Sequence, residues 1–200
     1  MTSPAPARPG RYDAESLLAV AAQVFTERGY DATGMEHLAK AAGITKSSFY
    51  HHVSGKEELL RRSLDRALDT LFAVLEGADS GPAVVRLEQV LRGSVRVLAE
   101  ELPHVTLLLR VRGNTDVERA AVARRREFDR RVAELVAAAA AAGDLRADIE
   151  PDLAARLLFG TVNSLIEWYT PGGRLDADAL GDALIALLLD GLRTADDATG

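Results

Sequence analysis

The sequence predicts an all-α fold. Apolar residues recur at helical spacing through most of the chain, Ser or Thr stands three residues ahead of Glu at several helix-start positions, and no stretch alternates with the period-two pattern of a strand. About nine helices are expected, three short ones first and a larger helical body after them. The expected divisions are a disordered Pro/Ala-rich tail over 1–10, a helix-turn-helix domain over 11–56 and a ligand-binding and dimerisation domain over 57–194.

The first helix is expected over Tyr12–Arg28, with Leu17, Ala21, Val24 and Phe25 on one face and Gly29 as its end. Thr33 and Glu36 fit a capping box, which starts a second helix at Gly34 or Met35 with Leu38, Ala39 and Ala42 as its stripe. Gly43 sits where the chain must reverse. Thr45 caps a third helix, Lys46–Val53, anchored by Ile44, Phe49 and Val53. A second capping box, Ser54 with Glu57, opens a long helix to about Ala78, apolar at Leu60, Leu64, Leu68, Leu71, Phe72 and Leu75. Gly77 and Gly81-Pro82 break it. Val84–Glu101 follows, then a short helix His104–Arg110 opened by Pro103. Thr115 with Glu118 caps an Ala-rich helix running to Ala142. Pro151 suits the first turn of a helix to Tyr169, and Asp176–Leu192 is the last.

The third helix carries the functional signal. Lys46, Ser47, Ser48, Tyr50 and His51, with His52 beside them, face outward on a short helix. Such a helix fits the major groove (~12 Å wide), and short polar side chains let it approach base edges while hydroxyls and Lys fix the register on phosphates. Lys56 adds a positive charge at a helix start, where free backbone N–H groups favour an anion. These features also fit an ordinary helical hairpin with a polar face.

The same residues resemble the N-terminal domain of the TetR family of bacterial transcriptional regulators. Gly29-Tyr30, the capping Thr33, Ala42-Gly43-Ile44, Tyr50-His51-His52 and the Lys56–Leu59 signature match that family in order and spacing over about 12–64, with Val53 in place of its usual Phe. A second stretch, Glu167-Trp168-Tyr169-Thr170-Pro171-Gly172-Gly173, is similar to a segment of TetR-type regulators of lipid and aromatic-acid catabolism, several of which answer to CoA thioesters. The resemblance implies a homodimer that represses from a palindromic operator on double-stranded DNA and is released by a small-molecule effector. It assigns DNA contacts to Lys46, Ser47, Ser48, Tyr50 and His51, and phosphate positioning to Thr33, Thr45 and Lys56. It places the last two helices, with Trp168, Leu180, Leu184, Leu187 and Leu188, at the dimer interface.

Composition bounds the alternatives. The chain has 200 residues, no Cys and a net charge of −6. Disulfides, thiolate metal sites and Cys nucleophiles are excluded, and a reducing cytoplasm is expected. No signal peptide or membrane-spanning run is visible. The acidic balance favours DNA binding by a dimer that presents two surfaces carrying Lys40, Lys46 and Lys56. No catalytic centre, metal site or cofactor is expected. His51 and His52 point about 100° apart on a helix, His37 and His104 lack neighbours at ligand spacing, and no phosphate-cradling Gly loop or nucleophile elbow is present.

The body carries an arginine excess. Arg110, Arg112, Arg119, Arg124, Arg125, Arg126, Arg130 and Arg131 outweigh Asp116, Glu118, Glu127 and Asp129. Arg119, Arg126 and Arg130 project away from the apolar stripe. Arg124 and Arg125 flank Phe128 on it, and Arg110 and Arg112 bracket the preceding turn. Arginine at the rim of an apolar cavity suits an amphiphile with an anionic head, such as an acyl-CoA or related carboxylate; surface ion pairs would use the same residues. Asn163 joins the candidate ligand residues, and Asn163 and Glu167 face either a pocket or the dimer partner. Two rivals remain at this level: a DNA-binding architectural or division-control protein on the same scaffold without an effector, and a small all-α enzyme.

Overall fold

The computed structural model describes residues 14–190, so the expected tail over 1–10, Arg11 and the chain beyond 190 lie outside the described residues. The described chain is all α-helical, with no strand. The helices are α1 (Ala14–Arg28), α2 (Met35–Ala42), α3 (Lys46–Tyr50), α4 (Lys56–Gly77), α5 (Ala83–Glu100), α6 (Leu102–Arg110), α7 (Asp116–Ala141), α8 (Pro151–Ser164) and α9 (Ala177–Leu189), with one 3-10 turn at Leu165–Glu167.

Helices α1 to α3 form the head. Leu17, Leu38 and Phe49 are fully buried and hold the three together. Gly43 sits in the left-handed region at φ 67°, and the Ile44 N–H reaches back to the Ala39 carbonyl at 3.1 Å. That closure reverses the chain within one residue, and a Cβ there would be strained.

The first two predicted capping boxes shift by one residue, while Thr115 caps α7 where expected. Helix α2 is capped at Gly34, whose N–H donates to His37 Nδ1 at 3.1 Å. Thr33 lies one residue earlier, and its buried hydroxyl donates to the Gly29 carbonyl at 2.7 Å. At α4 the extended Gly55 becomes the cap, so the third helical position is Glu58 rather than Glu57. Glu58 Oε2 accepts both the N–H and the hydroxyl of Ser54, at 2.6 and 2.7 Å. Two other ends also differ. Helix α3 stops at Tyr50, because the chain turns through His51 and His52 to bury Val53. Helix α8 stops at Ser164 and tightens into the 3-10 turn, closed by the Trp168 N–H on the Leu165 carbonyl.

Helix α4 connects head and body, packing against α1 on one side and α5, α6 and α7 on the other. Helix α6 also packs against α1. The α4–α5 crossing is tight at Gly93, where a Cβ would stand 2.3 Å from Val74 Cγ1. Only hydrogen fits there without displacing Val74.

Helix α9 lies along α5. Leu180 and Leu184, expected at the dimer interface, are buried against the chain's own core. The amphipathic period of α9 gives its inner face to α5, leaving Leu187 outside at 75 % exposure and Leu188 half-buried. Ion pairs from Arg92 to Asp182 (2.8 Å) and Arg96 to Asp178 (2.5 Å) flank that contact. Among the described residues no helix is long and apolar enough to cross a membrane.

Candidate nucleic-acid interface and ligand cavity

Helix α3 is pinned from below by Phe49 and capped by Thr45, whose Oγ1 accepts the Ser48 N–H at 3.1 Å. The Thr45 and Ser48 hydroxyls also share a hydrogen bond at 2.9 Å. That leaves Lys46, Ser47, Tyr50 and His51 exposed on the outer face. Lys46 Nζ is 4.0 Å from Glu36, an exposed and weak pairing that a phosphate could displace.

Two residues expected at phosphates are engaged inside the protein. The Thr33 side chain is buried and bonded to Gly29. Lys56 Nζ donates to the Tyr30 and Thr33 carbonyls, both at 3.1 Å, and sits 4.3 Å above the centre of the Tyr30 ring. Lys56 therefore ties the start of α4 to the turn after α1. The physical reason is that this turn leaves two carbonyls and an aromatic face without another cationic partner.

The body encloses a cavity of about 370 Å³ between α4, α5, α6, α7 and α8. Phe128 and Phe159 form one wall, edge to face at 5.3 Å, with Phe72 behind, also edge to face with Phe128 at 5.8 Å. Leu71, Leu98 and Val105 supply much of the rest. Four polar side chains reach it: Ser94, Arg125, Asp129 and Asn163. The Ser94 hydroxyl is buried and has no hydrogen-bond partner among the described residues. Arg125 Nη1 donates to the Leu108 carbonyl at 3.0 Å. Asp129 stands at the mouth with solvent on one side. Desolvation by the wall behind it raises its carboxyl above the ordinary value, while Arg125 and Arg156 pull it down.

Of the six residues expected to bind ligand, Arg125, Phe128 and Asn163 share this cavity and three do not. Arg124 turns to the outer α4–α7 face, paired with Asp65 (2.9 Å) and Asp69 (2.5 Å) and lying over the Phe72 ring. Arg110 and Arg112 line a different cleft, between head and body, beside Arg28 and Tyr30. Arg110 also stands 3.8 Å from the exposed Glu167, which is thus turned away from the cavity. Adjacent helical positions point about 100° apart, so Arg124 and Arg125 cannot both face inward. Ser94 was not singled out from the sequence, since one Ser in an apolar helix gives no signal until its surroundings are known.

Two more polar groups shape the region. Glu118 is buried, and its Oε2 accepts N–H donors from Arg112 (3.3 Å), Gly113 (2.9 Å) and Asn114 (2.9 Å). Its own N–H meets the capping Thr115 hydroxyl at 3.1 Å, so one residue holds the whole α6–α7 turn. His104 is buried where head meets body, with Nε2 3.9 Å from the Glu101 carboxylate. Glu101 in turn binds Arg66, which also pairs with Glu15 on α1. Among the described residues no three His, Cys, Asp or Glu side chains gather as a metal site.

On the outside, Leu153 and Leu157 of α8, Leu187 of α9 and Trp168 after the 3-10 turn are exposed large apolar side chains. Trp168 is 55 % exposed, free of the cavity.

Comparison with known proteins agrees with this architecture. Residues 17–62 match the model for bacterial regulatory proteins of the tetR family, and residues 80–192 match that for the tetracyclin repressor-like C-terminal domain. The chain is 30 % identical over 188 residues to the HTH-type transcriptional repressor KstR2 of Rhodococcus jostii (strain RHA1), covering 88 % of this chain and 89 % of that protein. The crystal structure of SCO3833, a TetR family member from Streptomyces coelicolor A3, superposes with TM-score 0.81 at 60 % identity, covering 89 % and 91 % of the two chains. AibR in complex with isovaleryl coenzyme A and operator DNA superposes with TM-score 0.73 at 26 % identity, covering 88 % of this chain and 97 % of AibR. With both its head and its body matched, the chain belongs to the TetR family of bacterial regulatory proteins.

Proposed function

We propose that the protein is a homodimeric transcriptional repressor that binds a palindromic operator through α3 and is released when an amphiphilic acid or acyl-CoA enters the body cavity. One observation carries the effector half: an apolar cavity with an arginine in its wall, bounded by the two helices, α4 and α6, that also pack against the head. An occupant that favours a different spacing of those helices shifts the head between DNA-competent and incompetent arrangements. The relatives support the same reading, since KstR2 is a repressor and AibR binds both isovaleryl-CoA and operator DNA.

Lys46, Ser47, Tyr50 and His51 are the groups that meet DNA, with Thr45 and Ser48 shaping the helix start. The dimer forms through the outer faces of α8 and α9 and the turn between them, where Leu153, Leu157, Leu187 and Trp168 need a covering surface. A cavity of this volume holds roughly a dozen non-hydrogen atoms, counted against about 30 Å³ for each liquid water. An acyl chain or small ring system fits inside; the nucleotide part of a CoA thioester stays outside.

The test is fluorescence anisotropy on the upstream intergenic DNA of the chain's own gene, at fixed salt, titrated with acyl-CoAs and free acids. Tight binding released by a member of the panel is expected. Tight binding that no member disturbs removes the effector class, and the absence of sequence-specific binding at moderate salt removes the regulator reading altogether.

A further inference from the structure

Arg125 is the only arginine among the residues lining the body cavity. Its guanidinium is half-buried, and its hydrogen bond goes to the Leu108 carbonyl at 3.0 Å. Arg124 beside it takes Asp65 and Asp69, whereas Arg125 makes no ion pair among the described residues. Glu127, two residues on, pairs with Arg130, and Asp129, one turn further along α7, lines the same cavity and feels the Arg125 charge without forming an ion pair with it. A half-buried cation with unused donors, set in a mostly apolar wall, favours an anion beside it.

The partner it does hold is informative. Leu108 lies in the last turn of α6, where helix carbonyls lack an in-helix donor. The Val111 N–H takes the Leu107 carbonyl at 3.1 Å, and Arg125 takes the next one. Arg125 thus caps the C-terminal end of α6, the helix that packs on α1 of the head.

We propose that Arg125 is a latch with two alternative partners, the Leu108 carbonyl that it holds here and a carboxylate of the effector. This rests on the effector reading above and narrows it. A carboxylate outcompetes an amide carbonyl for a guanidinium because the bond is charge-assisted and can be bidentate. A thioester carbonyl is a weaker acceptor than an amide and does not displace Leu108. The buried end of the effector is therefore a free carboxylate on an apolar body of the cavity's size. Capturing Arg125 uncaps α6, and the loosened last turn is what the head senses.

Hydrogen exchange of the full-length protein tests the latch without DNA. Arg125→Gln should speed exchange of the 107–111 amides roughly tenfold in the absence of any ligand, the order set by one charged hydrogen bond. Arg126→Gln, which alters an exposed neighbour, should leave it unchanged. In the wild type, octanoate should produce the same local loosening, while 1-octanol and octanoyl-CoA should not; octanoate should have no added effect in Arg125→Gln. Wild-type protection in Arg125→Gln, or loosening by octanoyl-CoA or 1-octanol equal to that by octanoate, overturns the latch. Those outcomes leave the regulator reading standing, because that reading fails on its own ground if the wild type binds no upstream DNA.

Discussion

Replacing Lys56 with Met tests whether this lysine holds the head or the DNA. Met keeps the apolar stem and removes only the ammonium. In the structure that ammonium makes two hydrogen bonds of 3.1 Å, to the Tyr30 and Thr33 carbonyls, and lies 4.3 Å from the Tyr30 ring centre. A hydrogen bond to a charged group contributes about 1.5–3 kcal/mol and a cation–π contact about 0.5–1 kcal/mol. Lys56 is only half-buried, so water recovers part of this for the freed carbonyls, and the net loss is about 2 kcal/mol. For a chain of this length that lowers Tm by about 4–8 °C. The companion measurement is the salt dependence of operator affinity. Each phosphate contact contributes about −0.9 to the slope of log affinity against log salt. If Lys56 is internal, Lys56→Met lowers Tm and leaves the slope alone. An unchanged Tm together with a slope reduced by about 1 per protomer would refute the assignment and return Lys56 to the phosphates.

Glu118→Ala should destabilise the fold by about 3 kcal/mol in urea titration, because it strands the three N–H donors of the α6–α7 turn, and Glu118→Gln should cost less. Burial holds the His104 pKa below its ordinary 6.5, against the pull of Glu101 and with the help of Arg66. The folded state therefore prefers the neutral ring, so stability is full above pH 6.5 and is lost as pH falls from there toward the depressed folded value. His104→Gln should flatten that part of the stability–pH curve, which thermal melts in matched buffers would show. Leu157→Glu combined with Leu187→Glu should leave Tm nearly unchanged, since those side chains are 60 % and 75 % exposed, yet convert a dimer to a monomer in analytical ultracentrifugation and cut operator affinity by at least about tenfold.

The helices were legible because their signals are local. Leu64, Leu68 and Leu75 repeat at helical spacing and all are buried along α4. Thr45 and Thr115 cap where their sequence context says they should. Misplacements came where one residue of backbone conformation decides the register. The extended Gly55 moves the cap so that Ser54 meets Glu58, and nothing in the one-dimensional pattern separates Glu58 from Glu57. The candidate cavity was partly legible through Phe128, Arg125 and Asn163, all of which lie at or beside apolar stripes. Arg124 shows the limit: the sequence gives its angle on α7 but not Asp65 and Asp69 on α4, and these hold it outside. Leu180 and Leu184 show another. An apolar helix face is the same string whether the chain's own α5 or a second protomer covers it.

The contact at Gly93 makes the long helix a lever of unequal arms. Val74 is held against α5 only three residues before α4 ends at Gly77, while Lys56 lies eighteen residues the other way. At 1.5 Å rise per residue the long arm is about 27 Å, and a tilt of about 10° around that fulcrum carries the Lys56 end by about 5 Å. Lys56 is fastened to the turn after α1, so the head travels with it. A small side-chain displacement near the cavity is thereby magnified at the far end, and a bulkier residue at position 93 would move the fulcrum itself.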